Sequence, residues 1–253
     1  MRNFMILLSV LLIYGCSSTK DIETEAQESP AKDLYEEANV AFEKGSYKYA
    51  AGKFDDLERL HPYSEYASTA QLMAGYSYYN AQEYDDAVLA LDRFIQLHPG
   101  SSDIAQAYYL KALSYYEQIS DVERDQATTG LAQASLREVY MRFPNTSYAN
   151  EARLKYDLTM DHLAGKEMTI GRYYLKRYEY VAAMNRFKTV IDKFQTSSHT
   201  PEALYRLIEI YITLRLNDEA LKTGVILGYN FPNNKWYKDA HELLHRKGIA
   251  PDA

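Results

Sequence analysis

"MAGYSYYNAQEYDDAVLALDRFIQLHP", residues 73–99, reads as two helices and the turn between them. Small Gly75 lets the two helices approach, and Tyr78 fills the gap beside it. Tyr84, Ala87 and Leu91 recur at helical spacing and form the inner face of the second helix. Pro99 ends it, because proline lacks the N–H that a helix would need there. A hairpin of this kind buries little by itself, so its repetition along the chain decides the fold.

The repetition is in phase. From the large inner residue to the terminating proline the interval is eight residues at Leu91–Pro99, Phe54–Pro62 and Leu136–Pro144. Gly224–Pro232 keeps the interval, and Phe187–Gln195 keeps it without the proline. Four positions before the inner residue stands a small one each time: Ala50, Ala87, Ala132, Ala183 and Ala220. The phase predicts an all-α fold, a tetratricopeptide-repeat solenoid of about five helix pairs. No run of β-branched alternation competes with it. Proline spacings of 37, 45 and 88 residues exceed the usual ~34 per repeat, so insertions are expected. One is residues 119–130, between the helices of the third pair. The other is an extra helix at about Tyr148–Leu163, dividing the solenoid into an N-terminal half, 33–145 with repeats 1–3, and a C-terminal half, 146–253 with repeats 4–5 and a terminal helix.

The array is preceded by a different kind of sequence. Met1-Arg2-Asn3 carries one positive charge, and Phe4 to Ile13 is apolar apart from Ser9. Residues 1–15 therefore read as a signal peptide, too short for a spanning helix, which needs roughly 20 apolar residues. Cys16 is the only cysteine of 253 residues, so an internal disulfide is excluded. Ile13-Tyr14-Gly15-Cys16 resembles a bacterial lipobox, although Tyr14 stands where a small residue is usual. The resemblance implies that the Cys16 thiol is diacylated and becomes the new N-terminus; the alternative is ordinary secretion with an incidental cysteine. Residues 16–32 are read as a lipidated tether, since the acidic stretch from Asp21 lacks aromatics and has too little apolar surface to order a backbone. Contact with the membrane is then expected through the lipid anchor alone.

A formal charge of −7 argues against nucleic acid, which selects a basic surplus. There is no nucleophile elbow and no glycine-rich phosphate loop, so no enzyme, cofactor or metal site is expected. The exception to weigh is "HELLH", His241–His245, a literal zinc-protease motif. Its third ligand would have to be Asp252, the sole plausible one among the eight residues after His245, and the same stretch reads as an amphipathic helix with Trp236, Ala240, Leu243 and Leu244 inward. His61 and His98 each precede a helix-ending proline and suit capping, and the pairs Asp55-Asp56 and Asp85-Asp86 read as solvated helix faces.

With 25 tyrosines and 8 phenylalanines, the helix surfaces are unusually aromatic, and this bears on binding. Aligning the first helix of each pair on Ala38, Gly75 and Ala112 places Tyr35, Phe42, Tyr76, Tyr79, Tyr109 and Tyr116 on the inner face, beside Asn39, Leu72 and Leu113. These six aromatics are the candidate substrate-binding groove; the alternative is that they pack as core. In the fourth pair the alignment on Gly171 gives Met168, Arg172, Leu175 and Lys176, a more basic lining. Arg172, Lys176, Arg177 and Arg186 are the candidate partner-binding cations, the alternative for Arg186 being an ion pair with a nearby glutamate.

The segments "LDRFIQLHPGSSDIAQAYYLKALSYYEQISDVERDQ" (91–126), "DHLAGKEMTIGRYYLKR" (161–177) and "YVAAMNRFKTVIDKFQTSSHTPEALYRL" (180–207) resemble the BamD family, also called ComL or YfiO, of outer-membrane assembly lipoproteins. The resemblance implies an outer-membrane lipoprotein facing the periplasm, without enzymatic activity, in the machine that assembles β-barrels. Its C-terminal half would dock the barrel-forming subunit, its N-terminal groove would receive unfolded outer-membrane proteins, and other assembly lipoproteins would be partners. A membrane-tethered tetratricopeptide scaffold for cell-wall or division enzymes is the competing expectation.

The lipobox carries its own test. Cys16→Ala is expected to release the protein from membranes, and the intact mass of the wild-type mature chain is expected to exceed that of residues 16–253 by a diacylglyceryl group plus any N-acyl chain. Mass spectrometry that finds the bare polypeptide would refute lipidation. Two or three acyl chains at about 0.8 kcal/mol per buried methylene are enough to hold the chain on a bilayer.

Overall fold

The computed structural model describes residues 30–119 and 127–249; Cys16 and the signal-peptide reading lie outside them. The described residues form eleven helices: α1 Pro30–Glu43, α2 Tyr47–Leu60, α3 Ala67–Asn80, α4 Tyr84–Leu97, α5 Ile104–Glu117, α6 Ala127–Arg142, α7 Ser147–Lys176, α8 Tyr180–Lys193, α9 Thr200–Thr213, α10 Asn217–Asn230 and α11 Lys235–Arg246. Each helix packs on the next, and α1/α2 through α9/α10 are the five antiparallel pairs of a tetratricopeptide solenoid, with α11 packed against both α9 and α10. First helices of successive pairs also touch, α3 with α5 and α5 with α7, which puts them on the inner side of the array.

The crossing within a pair is made by a small residue against a large one. A Cβ added to Gly75 would stand 2.6 Å from Leu91 Cγ, and one added to Gly171 would stand 2.5 Å from the Phe187 ring. Leu91 and Phe187 are fully buried, as are Phe54 and Leu136 at the corresponding places, and so are all five repeat alanines: Ala50, Ala87, Ala132, Ala183 and Ala220. In the fifth pair the sizes are exchanged, with Ile208 fully buried at the first-helix position and Gly224 at the second. Gly224 there receives Leu244 of α11 instead, its absent Cβ only 2.7 Å from Leu244 Cδ1.

The turns inside the pairs repeat as closely as the crossings. Gly45, Gln82, Tyr178 and Arg215 occupy the left-handed region at φ of 76°, 62°, 61° and 59°. In each the next residue's N–H reaches back to the first helix, as Ser46 N to Ala41 O, Glu83 N to Tyr78 O, Glu179 N to Tyr174 O and Leu216 N to Tyr211 O. These bonds satisfy carbonyls that a helix end leaves open and offset the strain of about 1–3 kcal/mol at a non-glycine residue.

Two boundaries differ from the sequence reading. The expected tether runs into structure: α1 starts at Pro30, since proline is well suited to a first helical position, and Ala31 is already buried. The extra helix at Tyr148–Leu163 is not a separate element. It continues without a break into the first helix of the fourth pair, giving α7 30 residues, because no proline interrupts 147–176 and its glycines are buried within the helix. Ala152 of α7 belongs to the core of the second and third pairs, whereas Ala164 and Met168 belong to the core of the fourth and fifth. The insertion between α5 and α6 shortens correspondingly, as Ala127 to Gly130 are helical and 120–126 lie outside the described residues.

Gly171→Ala is expected to destabilise the protein by about 1–3 kcal/mol, because the buried Phe187 ring has to move. Gly52→Ala is the internal control: Gly52 is exposed in α2, a Cβ there meets nothing within 4 Å, and a gain of about 0.4–1 kcal/mol is expected. Thermal denaturation of the two variants, with opposite signs, checks both.

Candidate functional site

The inner faces of α1, α3 and α5 carry the candidate groove, and the structure sorts its six aromatics into different environments. Tyr35 stacks on Tyr66 at 5.0 Å and meets Phe54 edge-on at 6.0 Å. Phe42 bridges the first two pairs, its ring 5.2 Å from Tyr76 and 5.2 Å from Tyr47. Tyr79 lies 5.9 Å from Tyr84, and Lys155 of α7 stands over Tyr116 at 4.3 Å. These five rings are half-buried. Burial raises the phenols of Tyr79 and Tyr116 above their ordinary range, so both remain hydroxyl donors.

Tyr109 is a correction. It is only 6% exposed, packs on Tyr148 at 5.3 Å and donates its hydroxyl to Glu151 at 2.6 Å. Burial first, then that carboxylate, push its phenol well up. Tyr109 therefore fastens α5 to α7 and has no free hydroxyl to offer. Leu72 and Leu113, expected beside the groove, are likewise core.

A polar seam crosses α2, α3 and α4 that the sequence reading misjudged. Asp55, expected on a solvated face, accepts from Tyr78 at 2.6 Å, while Arg93 reaches Glu58 at 3.3 Å. Burial raises the Asp55 carboxyl despite Tyr78 and Arg93, which pull the other way. Buried Gln71 donates to Glu58 and bonds the His98 ring at 2.7 Å. The His98 imidazole thus ties α4 to α3; the end of α4 is capped by its backbone N–H, bonded to Phe94 O. Asp55 follows Phe54 as Asp92 follows Leu91, but Asp92 accepts from Lys111 at 2.5 Å, and Asp85, one turn before the buried Val88, is exposed.

The basic lining of the C-terminal half is largely neutralised from within. Arg172 pairs with Glu202 at 3.1 Å, Arg186 with Glu167 at 3.2 Å and Arg177 with Glu179 at 3.3 Å. Lys176 is exposed and has no such pair among the described residues. An aromatic–cation cluster of this half has no counterpart in the sequence reading: Tyr205 and Trp236 lie 5.2 Å apart, and the Arg206 guanidinium sits 5.4 Å and 5.3 Å from their rings. Burial alone would lower Arg206, yet Glu209 and Glu202 outweigh it and keep the charge. The signal is absent from either helix alone, since α9 and α11 meet only in the folded array. A cleft of about 690 Å³ at the seam of α6, α7 and the end of α8 is tertiary in the same sense, lined by Tyr140, Tyr156, Met160, Asp192 and Gln195.

His241 and His245 project from α11 with their rings 4.4 Å apart, and among the described residues no group of three or more metal-ligating side chains forms. Ala240 and Leu244 are the buried side of that helix.

The family described as outer membrane lipoprotein, YfiO, matches residues 27–225. The outer membrane protein assembly factor BamD of Caulobacter vibrioides is 50% identical over 240 residues, 94% of this chain and 79% of its own length. BamD of Rickettsia prowazekii is 50% identical over 243 residues, 94% of this chain and 96% of its own. Among solved structures, the P58(IPK) tetratricopeptide-repeat domain covers 87% of this chain and 57% of its own length at 15% identity and a TM-score of 0.43. With the family matched across most of the helical array and half the residues shared with two of its members, the chain belongs to the YfiO family of outer membrane lipoproteins.

Proposed function

We propose that this chain is a non-enzymatic assembly factor for outer-membrane proteins, anchored through lipidated Cys16 at the outer membrane and facing the periplasm. Its C-terminal half docks the barrel-forming subunit of the assembly machine, in company with other assembly lipoproteins, and its N-terminal groove receives unfolded outer-membrane proteins. The observation that carries the reading is the 50% identity to two proteins named as assembly factors, extending over 94% of this chain. The half-buried aromatic row Tyr35, Phe42, Tyr76, Tyr79 and Tyr116 supports the second half of it.

An unfolded barrel strand alternates apolar and polar residues, and ring contacts with such a strand are worth about 0.5–1.5 kcal/mol each beyond burial. Several modest contacts give weak binding, in the micromolar range or around −8 kcal/mol, which permits release to the next component. Tyr76 and Tyr79 are the anchors of this groove, and Tyr109 acts behind them by holding α5 on α7. For the docking half, an ion pair does not remove an arginine from an interface. The partially exposed Arg186 can exchange Glu167 for a partner's carboxylate, since a surface pair is worth only about 0–1 kcal/mol.

A fluorescent peptide of about ten residues ending in phenylalanine, titrated with the full chain, is expected to bind in the micromolar range. Tyr76→Ala and Tyr79→Ala are each expected to weaken it by about two- to tenfold with the melting temperature retained. Unchanged binding places the clients elsewhere, and a large fall in melting temperature marks the tyrosines as core.

Arg186→Glu sets two carboxylates against each other at Glu167 and is expected to reduce co-purification of the barrel-forming subunit while helical circular dichroism is unchanged. Unaltered co-purification removes Arg186 from the docking surface; the same assay on Lys176→Glu tests the exposed, unpaired cation.

A further inference from the structure

The assembly reading leaves the His241-Glu242-Leu243-Leu244-His245 motif unused. On α11 the two histidines lie one turn apart, with ring centroids 4.4 Å apart and planes inclined at 52°. His241 is exposed and His245 half-buried. Among the described residues the contacts of these imidazoles are with each other and, for His241, an edge-on approach to Tyr237 at 6.1 Å; no hydrogen bond or ion pair engages a ring nitrogen. The stripe they extend is held in place by its buried members. Leu244 presses onto Gly224 and Tyr237 onto Gly228, where absent Cβ atoms would stand 2.7 Å and 2.6 Å from the two side chains.

We propose that His241 and His245 together bind one divalent transition-metal ion of the class that prefers imidazole, Cu²⁺, Ni²⁺ or Zn²⁺, through one ring nitrogen each, with water in the remaining positions. Metal–nitrogen bonds of about 2.0–2.1 Å require ring centres a few ångströms apart on the same side of the helix, and the i, i+4 spacing supplies that. His245 also lies in the last turn of α11, where open carbonyls and the negative end of the helix dipole favour a cation. Hard cations such as Mg²⁺ demand oxygen ligands and are not expected to bind. Among the described residues no third protein ligand joins the two histidines, and Asp252 lies outside them. An ion joining residues 241 and 245 staples the final turn of the helix that closes the array over α10. Its consequence is a more rigid C-terminal end of the solenoid.

The test uses the purified full chain without a histidine tag, titrated separately with Cu²⁺, Zn²⁺ and Mg²⁺. Electron paramagnetic resonance of the Cu²⁺ form is expected to show one bound ion with nitrogen couplings. Binding should be tighter for Cu²⁺ than for Zn²⁺ and absent for Mg²⁺. Hydrogen exchange is expected to slow in α11 and to return on addition of a chelator. His241→Gln, at an exposed position that leaves the fold intact, is expected to abolish both the couplings and the protection, and His245→Gln to do the same. Retention of the bound ion in either variant, or protection that appears elsewhere than in α11, overturns the proposal.

Discussion

Everything in this molecule depends on how closely the two helices of a pair can cross. At Gly75 and Gly171 there is no room for a methyl group, because Leu91 and Phe187 occupy the space where it would be. That contact brings first-helix backbone onto a fully buried side chain, and the repeat alanine one turn earlier on the second helix completes the fit. Packing at this density transmits position from one element to the next, since a well-filled interior does not yield by fractions of an ångström without cost. The left-handed residue in the turns of the first, second, fourth and fifth pairs is a consequence: a short connection between helices crossing at this distance needs it, and Gln82, Tyr178 and Arg215 accept the strain.

Stacking such pairs makes a quasi-one-dimensional object in which each unit touches mainly its neighbours. α7 is the departure from this rule. At 30 residues it is about twice the length of the other helices of the array, and it enters the core of the third pair at one end and of the fourth at the other. The two halves are therefore joined by a continuous rod of backbone hydrogen bonds. Tyr109, Tyr148 and Glu151 secure the N-terminal half to that rod, and Phe187 against Gly171 secures the C-terminal half. An aromatic inner surface on one side and an ion-paired surface on the other are thus held on one frame.

The candidate site was readable in part, and the misreadings share a cause. Periodicity places Tyr76 and Tyr109 on equivalent faces, but only the fold shows that Glu151 of a later helix accepts the Tyr109 hydroxyl. Asp55 and Asp92 are equivalent in the repeat, yet Tyr78 meets the first and Lys111 the second. For Arg186 the sequence leaves an ion pair with a glutamate open, and only the fold identifies Glu167, 19 residues earlier, as its partner. Charge and hydroxyl partners come from neighbouring repeats, and a pattern read within one repeat has no access to them. The Tyr205, Arg206 and Trp236 cluster escaped notice for the same reason.

The amino-acid sequence by itself determined the helical class, the pairing of helices and the residues at each crossing. Those depend on local periodicity, on proline as a stop and on side-chain volume at a fixed interval, all of which are written along the chain. It also carried, through three quoted segments, a resemblance to the family that the comparisons then established. Only the tertiary structure decided that the expected extra helix is the first half of α7, which aromatics are exposed enough to bind and which cations remain unpaired. Those outcomes depend on which side chains meet across helices far apart in the chain, and such meetings arise only when the stack has formed.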